Sequence, residues 1–348
     1  MRIFLHSAFD TISGYGNTAT NLAVELEKCG VDVYPICKGI GFEMPDEFTN
    51  LFLKKNPQGL YFDYYINFDV PKNLDVATNF GICNKKIAYT MWEQTKLTND
   101  FKKNNFNKFD YLVVPCEMNI EPFSDFFKKN IYINPLGVDT KFYTPVNRIL
   151  NDDSLKVCVN GAMTYRKGVD ILIDVMLDER IKRLPIYFNI KNSQQTIHPA
   201  IIENNPNIKI YEGVWNKFGV RNFYELNDVM LALSRGEGYN QPAVEFLRTG
   251  GVVVTHNWGG HAVWANSEFC KLIPYKLVSV QNWDNVNKDS KWAEVNKEDV
   301  INALISLYEN KSQLKTLSNN AVKFSESFSF EDMAANFINL LERIDYER

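Results

Sequence analysis

Val229-Met-Leu-Ala-Leu-Ser-Arg-Gly-Glu-Gly-Tyr-Asn-Gln-Pro-Ala-Val-Glu-Phe246 is the stretch on which the fold turns. The apolar run Val229 to Leu233 is short enough to be a strand buried on both faces, and the glycines at 236 and 238 flank a loop. Pro242 suits a first helical turn, because its missing N–H would have no intrahelical partner there. A second apolar run, Val252 to Thr255, follows the helix. Strand, loop, helix and strand make a unit of a parallel sheet, whose helix N-terminus opens toward the loop and favours an anion such as phosphate. Glu237 in the loop and Glu245 in the first helical turn are placed to face the same crevice at the strand ends. Taken singly, Glu245 is also what a helix dipole favours, and Glu237 reads as a solvated loop residue.

The same rhythm extends outward in both directions. Before the central stretch come Leu155 to Val159, a helix from Val169, Ile186 to Ile190 and Ile208 to Tyr211. Nearer the start come Ile3 to Leu5, a helix from about Thr18, Val31 to Cys37, Tyr61 to Ile66, Ile87 to Met91, Tyr111 to Val114 and Ile131 to Asn134, with helical segments at Asp100 to Phe106 and Ile120 to Phe127. Between the two series, Val138 to Ser154 is rich in Gly, Pro, Asp and Asn and reads as a linker. Two helices close the chain, and the last carries Met333, Phe337, Leu340, Leu341 and Ile344 on one face.

Length and composition agree with two α/β domains. The 348 residues are too many for one ordinary domain, and 45% hydrophobic with 23% charged residues is a globular balance. No apolar run approaches the roughly 20 residues of a membrane span, so the expectation is a soluble, cytoplasmic protein with no integral membrane association. The six cysteines form no Cys-x-x-Cys pair and are expected to be reduced core or near-core residues. A net charge of −4 gives no global attraction to nucleic acid.

Glu237-Gly-Tyr-Asn-Gln-Pro-Ala-Val-Glu245 resembles the donor-site motif of the retaining GT-B glycosyltransferases of family four, Glu-Gly-(Phe/Tyr)-x-x-Pro-x-x-Glu, at every fixed position. A second block, Val157-Cys-Val-Asn-Gly-Ala-Met-Thr-Tyr-Arg-Lys-Gly-Val-Asp-Ile-Leu-Ile173, is similar to the strand, loop and helix that open that family's donor domain. Further similarity runs through Tyr89 to Thr95, Val113 to Asn119, Asn134 to Asp139 and the Gly-Gly loop His256-Asn-Trp-Gly-Gly-His261. The resemblance implies two Rossmann-like, doubly wound domains facing an interdomain cleft. An acceptor-side domain would span 1–140, joined by the C-terminal helix at about 330–348, and a nucleotide-sugar donor domain would span 150–328. It implies that Glu245 holds the ribose, that Glu237, Gly238, Tyr239, Asn240, Gly259 and Gly260 face the donor, and that Arg166 and Lys167 neutralise the diphosphate as it leaves. Many relatives have Gly-Arg where this chain has Gly161-Ala162, so Arg166 would stand in for an absent arginine.

In the N-terminal loop, Gly14-x-Gly16-x-x-Ala19 meets the minimal dinucleotide pattern, yet about seven residues intervene after His6 and no acidic residue closes the second strand. A dehydrogenase is therefore disfavoured. The resemblance instead assigns Gly14 and Gly16 to close backbone approach to donor phosphates and acceptor. Trp92 and Glu93 suggest an acceptor-binding edge, a stacking ring beside a carboxylate, against the equal alternative of a core Trp. His256 and His261 lack a local third ligand and no Asp-x-Asp is present, so no metal is expected. The expected activity is metal-independent transfer of a sugar from a nucleotide-diphosphate sugar to a sugar or glycan hydroxyl, without a cofactor. Two alternatives stay open: a non-catalytic nucleotide-sugar-binding module, and a transferase acting on hydroxymethylated DNA. The DNA alternative rests on Lys85, Lys86, Lys96, Lys102, Lys103, Lys108, Lys128 and Lys129 interleaved with Tyr89, Trp92, Phe101, Phe106 and Phe109.

Overall fold

The computed structural model describes residues 1–40, 44–54, 59–77, 82–98, 100–101, 105–127, 130–148, 153–193 and 205–346. The chain divides into two compact units. The first comprises Met1–Val138, Asp284–Ser290 and Phe328–Arg348, and the second Asp139–Trp283 and Lys291–Ser327.

The first unit is built on strands β1 (Arg2–Phe9), β2 (Asp32–Ile40), β3 (Tyr61–Phe68), β4 (Ile82–Tyr89), β5 (Tyr111–Val114) and β6 (Ile131–Ile133). They form one parallel sheet in the order β2-β1-β3-β4-β5-β6. The first helix, Gly14–Lys28, begins four residues earlier than the apolar spacing suggests. Ser13 is the reason: its Oγ accepts from the Gly16 N–H (3.0 Å), which starts the helix at a polar cap ahead of its first buried aliphatic residue. Since β1 also runs on to Phe9, only Asp10 to Ser13 separate strand from helix, a tighter turn than the seven residues expected. The helix Asp46–Lys54 has no counterpart in the sequence reading. Of the helix expected at Asp100 to Phe106, residues 102–104 lie outside the described residues and Asn105–Lys108 is a 3₁₀ turn. The final helix, Phe330–Tyr346, belongs to this unit and buries Met333, Phe337, Leu340, Leu341 and Ile344, as its stripe requires.

The second unit carries β7 (Leu155–Gly161), β8 (Ile186–Asn192), β9 (Ile208–Glu212), β10 (Val229–Ala232), β11 (Val252–Thr255) and β12 (Cys270–Leu272) in the parallel order β12-β11-β10-β7-β8-β9. An antiparallel hairpin, β13 (Tyr275–Ser279) and β14 (Lys291–Val295), is added to it. The chain proceeds from β7 outward to β9 and then returns to place β10 on the other side of β7. That reversal leaves a crevice beyond the C-terminal ends of β7 and β10, where ligands bind in open α/β sheets. β7, β10 and β11 are rich in apolar residues, and Val157, Val229, Leu231, Val252 and Val254 are buried in a core shared with the flanking helices. Burial on both faces explains why these strands read as continuous apolar runs without alternation.

Cys116, Cys158 and Cys270 are buried, Cys37 and Cys83 are partly so, and Cys29 departs from expectation by being exposed at the end of the first helix. No helix among the described residues is long and apolar enough to cross a membrane.

Candidate functional site

The loops that leave β7 and β10 meet at the crevice. The Arg235 N–H donates to the Arg166 carbonyl (2.7 Å), and the Arg166 guanidinium donates to the Gly236 carbonyl (2.7 Å). Between them lies Glu237, which is 8% exposed. One carboxylate oxygen accepts from Arg166 Nη1 (3.2 Å), and the other is paired with Lys167 Nζ. Burial alone would push this carboxyl up. The adjacent charges of Lys167 and Arg166 outweigh that effect, so Glu237 is held well below the usual carboxylate range and is ionised at any working pH. The two cations keep about a fifth of their side-chain surface exposed.

A third loop closes against these two. The Gly260 N–H donates to the Glu237 carbonyl (2.8 Å), and a Cβ on Gly260 would lie 2.3 Å from the Tyr239 nitrogen. Only glycine allows this approach. Asn240 adopts a left-handed conformation (φ 69°) immediately before the helix Gln241–Arg248, and its amide donates to His261 Nε2 (2.9 Å). Nδ1 of the same ring then donates to Thr255 Oγ1 (3.0 Å). His256 donates from Nε2 to the Ser234 carbonyl (2.8 Å) and accepts from the Trp258 N–H at Nδ1 (3.2 Å). Burial holds both histidines below their ordinary value, so the pair is neutral. All four ring nitrogens have protein partners, and among the described residues no group of three His, Cys, Asp or Glu side chains is placed to hold a metal.

Glu245 occupies a different pocket. It sits in the second turn of its helix, not the first, and is buried where a dipole-favoured acid would be exposed. The Tyr224 hydroxyl donates to Oε2 (3.1 Å), and the Tyr143 hydroxyl is a second donor. Desolvation exceeds what these hydroxyls return, and the carboxyl is pushed up to about 7. Asn160, at the end of β7, donates to the same Tyr224 oxygen (2.7 Å). Lys191, at the end of β8, is 7% exposed, lies 5.7 Å from the centroid of the Trp215 ring and interacts electrostatically with Glu245.

Arg166, Lys167, Glu237, Gly238, Tyr239, Asn240, Gly259 and Gly260 are thus brought together in the second unit, with Glu245 in the helix that follows. Tyr239 is 1% exposed as a whole residue and its carbonyl accepts from the Trp264 indole N–H (2.7 Å), so it braces the loop from within and is not exposed in the crevice. Sequence reasoning missed several participants. Arg235, within the quoted stretch, is 2% exposed and ties the loop down through Asp170 (2.7 Å), Glu294 (2.8 Å) and the face of Tyr165. Tyr143, Asn160, Lys191 and Tyr224 come from four separate segments, and no local spacing announces them.

Gly14, Gly16, Trp92 and Glu93 belong to the first unit. Gly16 is fixed by packing, since a Cβ there would meet Asp10 Oδ2 at 2.1 Å, whereas Gly14 faces open space. Trp92 is 4% exposed, packs edge-on against Phe101 and donates its indole N–H to the Lys96 carbonyl (2.8 Å), which makes it a core residue and not an exposed stacking ring. Glu93 is half-buried beside it. Of the lysine and aromatic series, only part lies among the described residues. Lys102, Lys103, Lys128 and Lys129 lie outside them. Lys85 is buried against Asp345, Lys96 pairs with Glu121 and Lys108 with Asp75, while Tyr89, Phe101, Phe106 and Phe109 are in the core. Three of the lysines thus pair with acids, and none of the similar structures supports a DNA acceptor.

No protein-family model matches the chain, and no curated protein matches it in sequence. Among solved structures it is similar to a sucrose-phosphate synthase from Thermosynechococcus elongatus, with a TM-score of 0.68, 14% identity and 100% of both chains covered. A glycosyltransferase from Rickettsia africae gives a TM-score of 0.68 at 14% identity, over 98% of both chains. The catalytic domain of starch synthase IV from Arabidopsis thaliana, bound to ADP and acarbose, gives 0.65 at 10% identity, again over 98% of both. At these identities the likeness is one of fold, and the two parallel six-stranded sheets with their helices are the α/β, GT-B architecture of glycosyltransferases.

Proposed function

We propose that the chain is a retaining, metal-independent glycosyltransferase whose second unit holds a nucleotide-diphosphate sugar, and whose first unit serves a sugar or glycan acceptor. The observation that carries the reading is the Arg166–Lys167–Glu237 cluster, a buried carboxylate under two partly exposed cations, at the crevice between β7 and β10. Glu237, being ionised, can only accept, which suits it to donor-sugar hydroxyls. Arg166 and Lys167 retain exposed faces for the diphosphate, and the N-terminus of Gln241–Arg248 lies in the same loop. As the glycosidic bond breaks, negative charge grows on the leaving phosphate, and these fixed cations stabilise it without rearranging. The acceptor hydroxyl attacks from the face the diphosphate leaves, its oxygen bonding to the anomeric carbon as the bond to the phosphate oxygen breaks and its proton passing to the departing diphosphate.

The fold is shared with a starch synthase whose structure holds ADP and acarbose, which supports a nucleotide donor and a glycan acceptor. The test is release of nucleoside diphosphate from a panel of nucleotide sugars, with and without chelator. Slow acceptor-free hydrolysis that survives chelation is the expected result. Binding without turnover under every acceptor would leave a non-catalytic module, and turnover restored only by added magnesium or manganese would remove metal independence.

A further inference from the structure

Lys191 is 7% exposed, and its ammonium has no hydrogen-bond acceptor among the described residues. Among the described residues it faces the Trp215 ring, 5.7 Å away, and the charge of Glu245, with which it forms no ion pair within 4 Å. With no protein acceptor to satisfy, the ammonium keeps its donors for a ligand. Burial lowers the basicity of Lys191, as it raises the carboxyl of Glu245. Lys191, at the end of its strand beside an aromatic ring, and Glu245, on the helix that follows β10, are thus near enough to interact. Trp215 is itself fixed edge-on between Tyr211 and Phe223. Lys191 is paired in register with Asn160 of β7, which reaches Glu245 through the Tyr224 hydroxyl.

We propose that Lys191 selects the base of the donor nucleotide, its ammonium donating to the O2 carbonyl of a pyrimidine that lies against Trp215, with the ribose diol on Glu245. This rests on the reading of the second unit as a nucleotide-sugar site. The chemistry favours a pyrimidine because Lys191 and Glu245 are near enough to interact, so both contacts must fall within a short span of one nucleoside. O2 of a pyrimidine adjoins the glycosidic bond and the ribose. The O6 of guanine lies at the far edge of the purine, and adenine has no carbonyl.

The experiment is calorimetric titration of UDP, ADP and GDP into the intact protein and into Lys191→Met, with the melting temperature of each ligand-free form. The wild type is expected to bind UDP at least about tenfold more tightly than ADP or GDP, and the variant to lose about tenfold or more of UDP affinity while its ADP affinity stays put. The ligand-free variant should melt at about the same temperature, since no hydrogen bond or ion pair of Lys191 is lost on replacing it with an apolar chain of similar length. Equal binding of the three nucleotides by the wild type overturns the proposal, even if the variant does not fold. So does a variant that keeps its UDP preference, or one that loses all three nucleotides alike and melts lower, which is the mark of a structural lysine. Binding of none of the three by the wild type would instead overturn the donor-site reading, and this assignment with it.

Discussion

Glu237 and Glu245 stand eight positions apart in one motif and are equally buried, at 8% exposure each, yet their pockets treat them in opposite ways. Glu237 meets two cations and is held ionised. Glu245 meets two tyrosine hydroxyls and a lysine that does not reach it, and its carboxyl rises to about 7. Burial is common to both, so the neighbouring charge decides. On the proposed reading, the difference separates a pocket for the departing diphosphate from one for the ribose hydroxyls.

The strongest way to break this comparison is to remove a cation from the first pocket. Lys167→Met should lower the rate of nucleoside diphosphate release about 10²-fold at saturating donor, because a fixed charge opposite the leaving group is lost. A rate within experimental error of the wild type would show that the cluster is only structural.

The second pocket responds in binding and in pH. Glu245→Ala should weaken donor nucleotide by about 1.5–3 kcal/mol, the size of a hydrogen bond to a charged group, with the fold retained. Normal nucleotide affinity in a variant that melts far lower would make Glu245 structural. Glu245→Gln sharpens the contrast between the two carboxyls. Because the folded-state value of Glu245 is raised from 4.5 to about 7, the stability tied to its protonated form is complete below about pH 4.5 and is lost as pH rises through about 7. The Gln variant should therefore gain on the wild type across that window, by at most about 3 kcal/mol, and run parallel to it above. Denaturant melts at pH 4.5, 6 and 8 measure this, and a constant difference would refute the raised value. Glu237 gives no such window near neutrality, since its depressed carboxyl stays ionised until strongly acid pH.

The smallest effect is expected from Tyr224→Phe, which takes one donor from Glu245 and one acceptor from Asn160 while keeping the ring. A loss of about 1 kcal/mol of stability fits a single buried hydrogen bond, and the Glu245 carboxyl should rise further. A stability loss of several times that size would mean that the tyrosine organises the whole pocket.

Much of the fold could be read from residues alone where periodicity is strong. Tyr111–Val114, Ile120–Phe127 and Val252–Thr255 fall where the apolar pattern puts them, because short buried strands and a one-faced helix leave unmistakable spacing. The hairpin Tyr275–Ser279 with Lys291–Val295 was not legible, since its first strand is mostly exposed and carries no apolar run. The early start of the first helix was hidden for a similar reason, its cap being polar.

By itself the sequence determined the parallel α/β rhythm, the strand-loop-helix stretch from Val229 to Phe246 and the clustering of Arg166, Lys167, Glu237 and Glu245 in one half of the chain. These depend on local spacing and on side-chain type. Tertiary structure alone decided that Trp92 is core, that Lys85, Lys96 and Lys108 are neutralised by acids remote in sequence, and that Lys191 stands beside Trp215 and Glu245. The charge state of a buried group depends on which neighbours the fold brings within a few ångströms, and those neighbours come from strands and loops far apart along the chain.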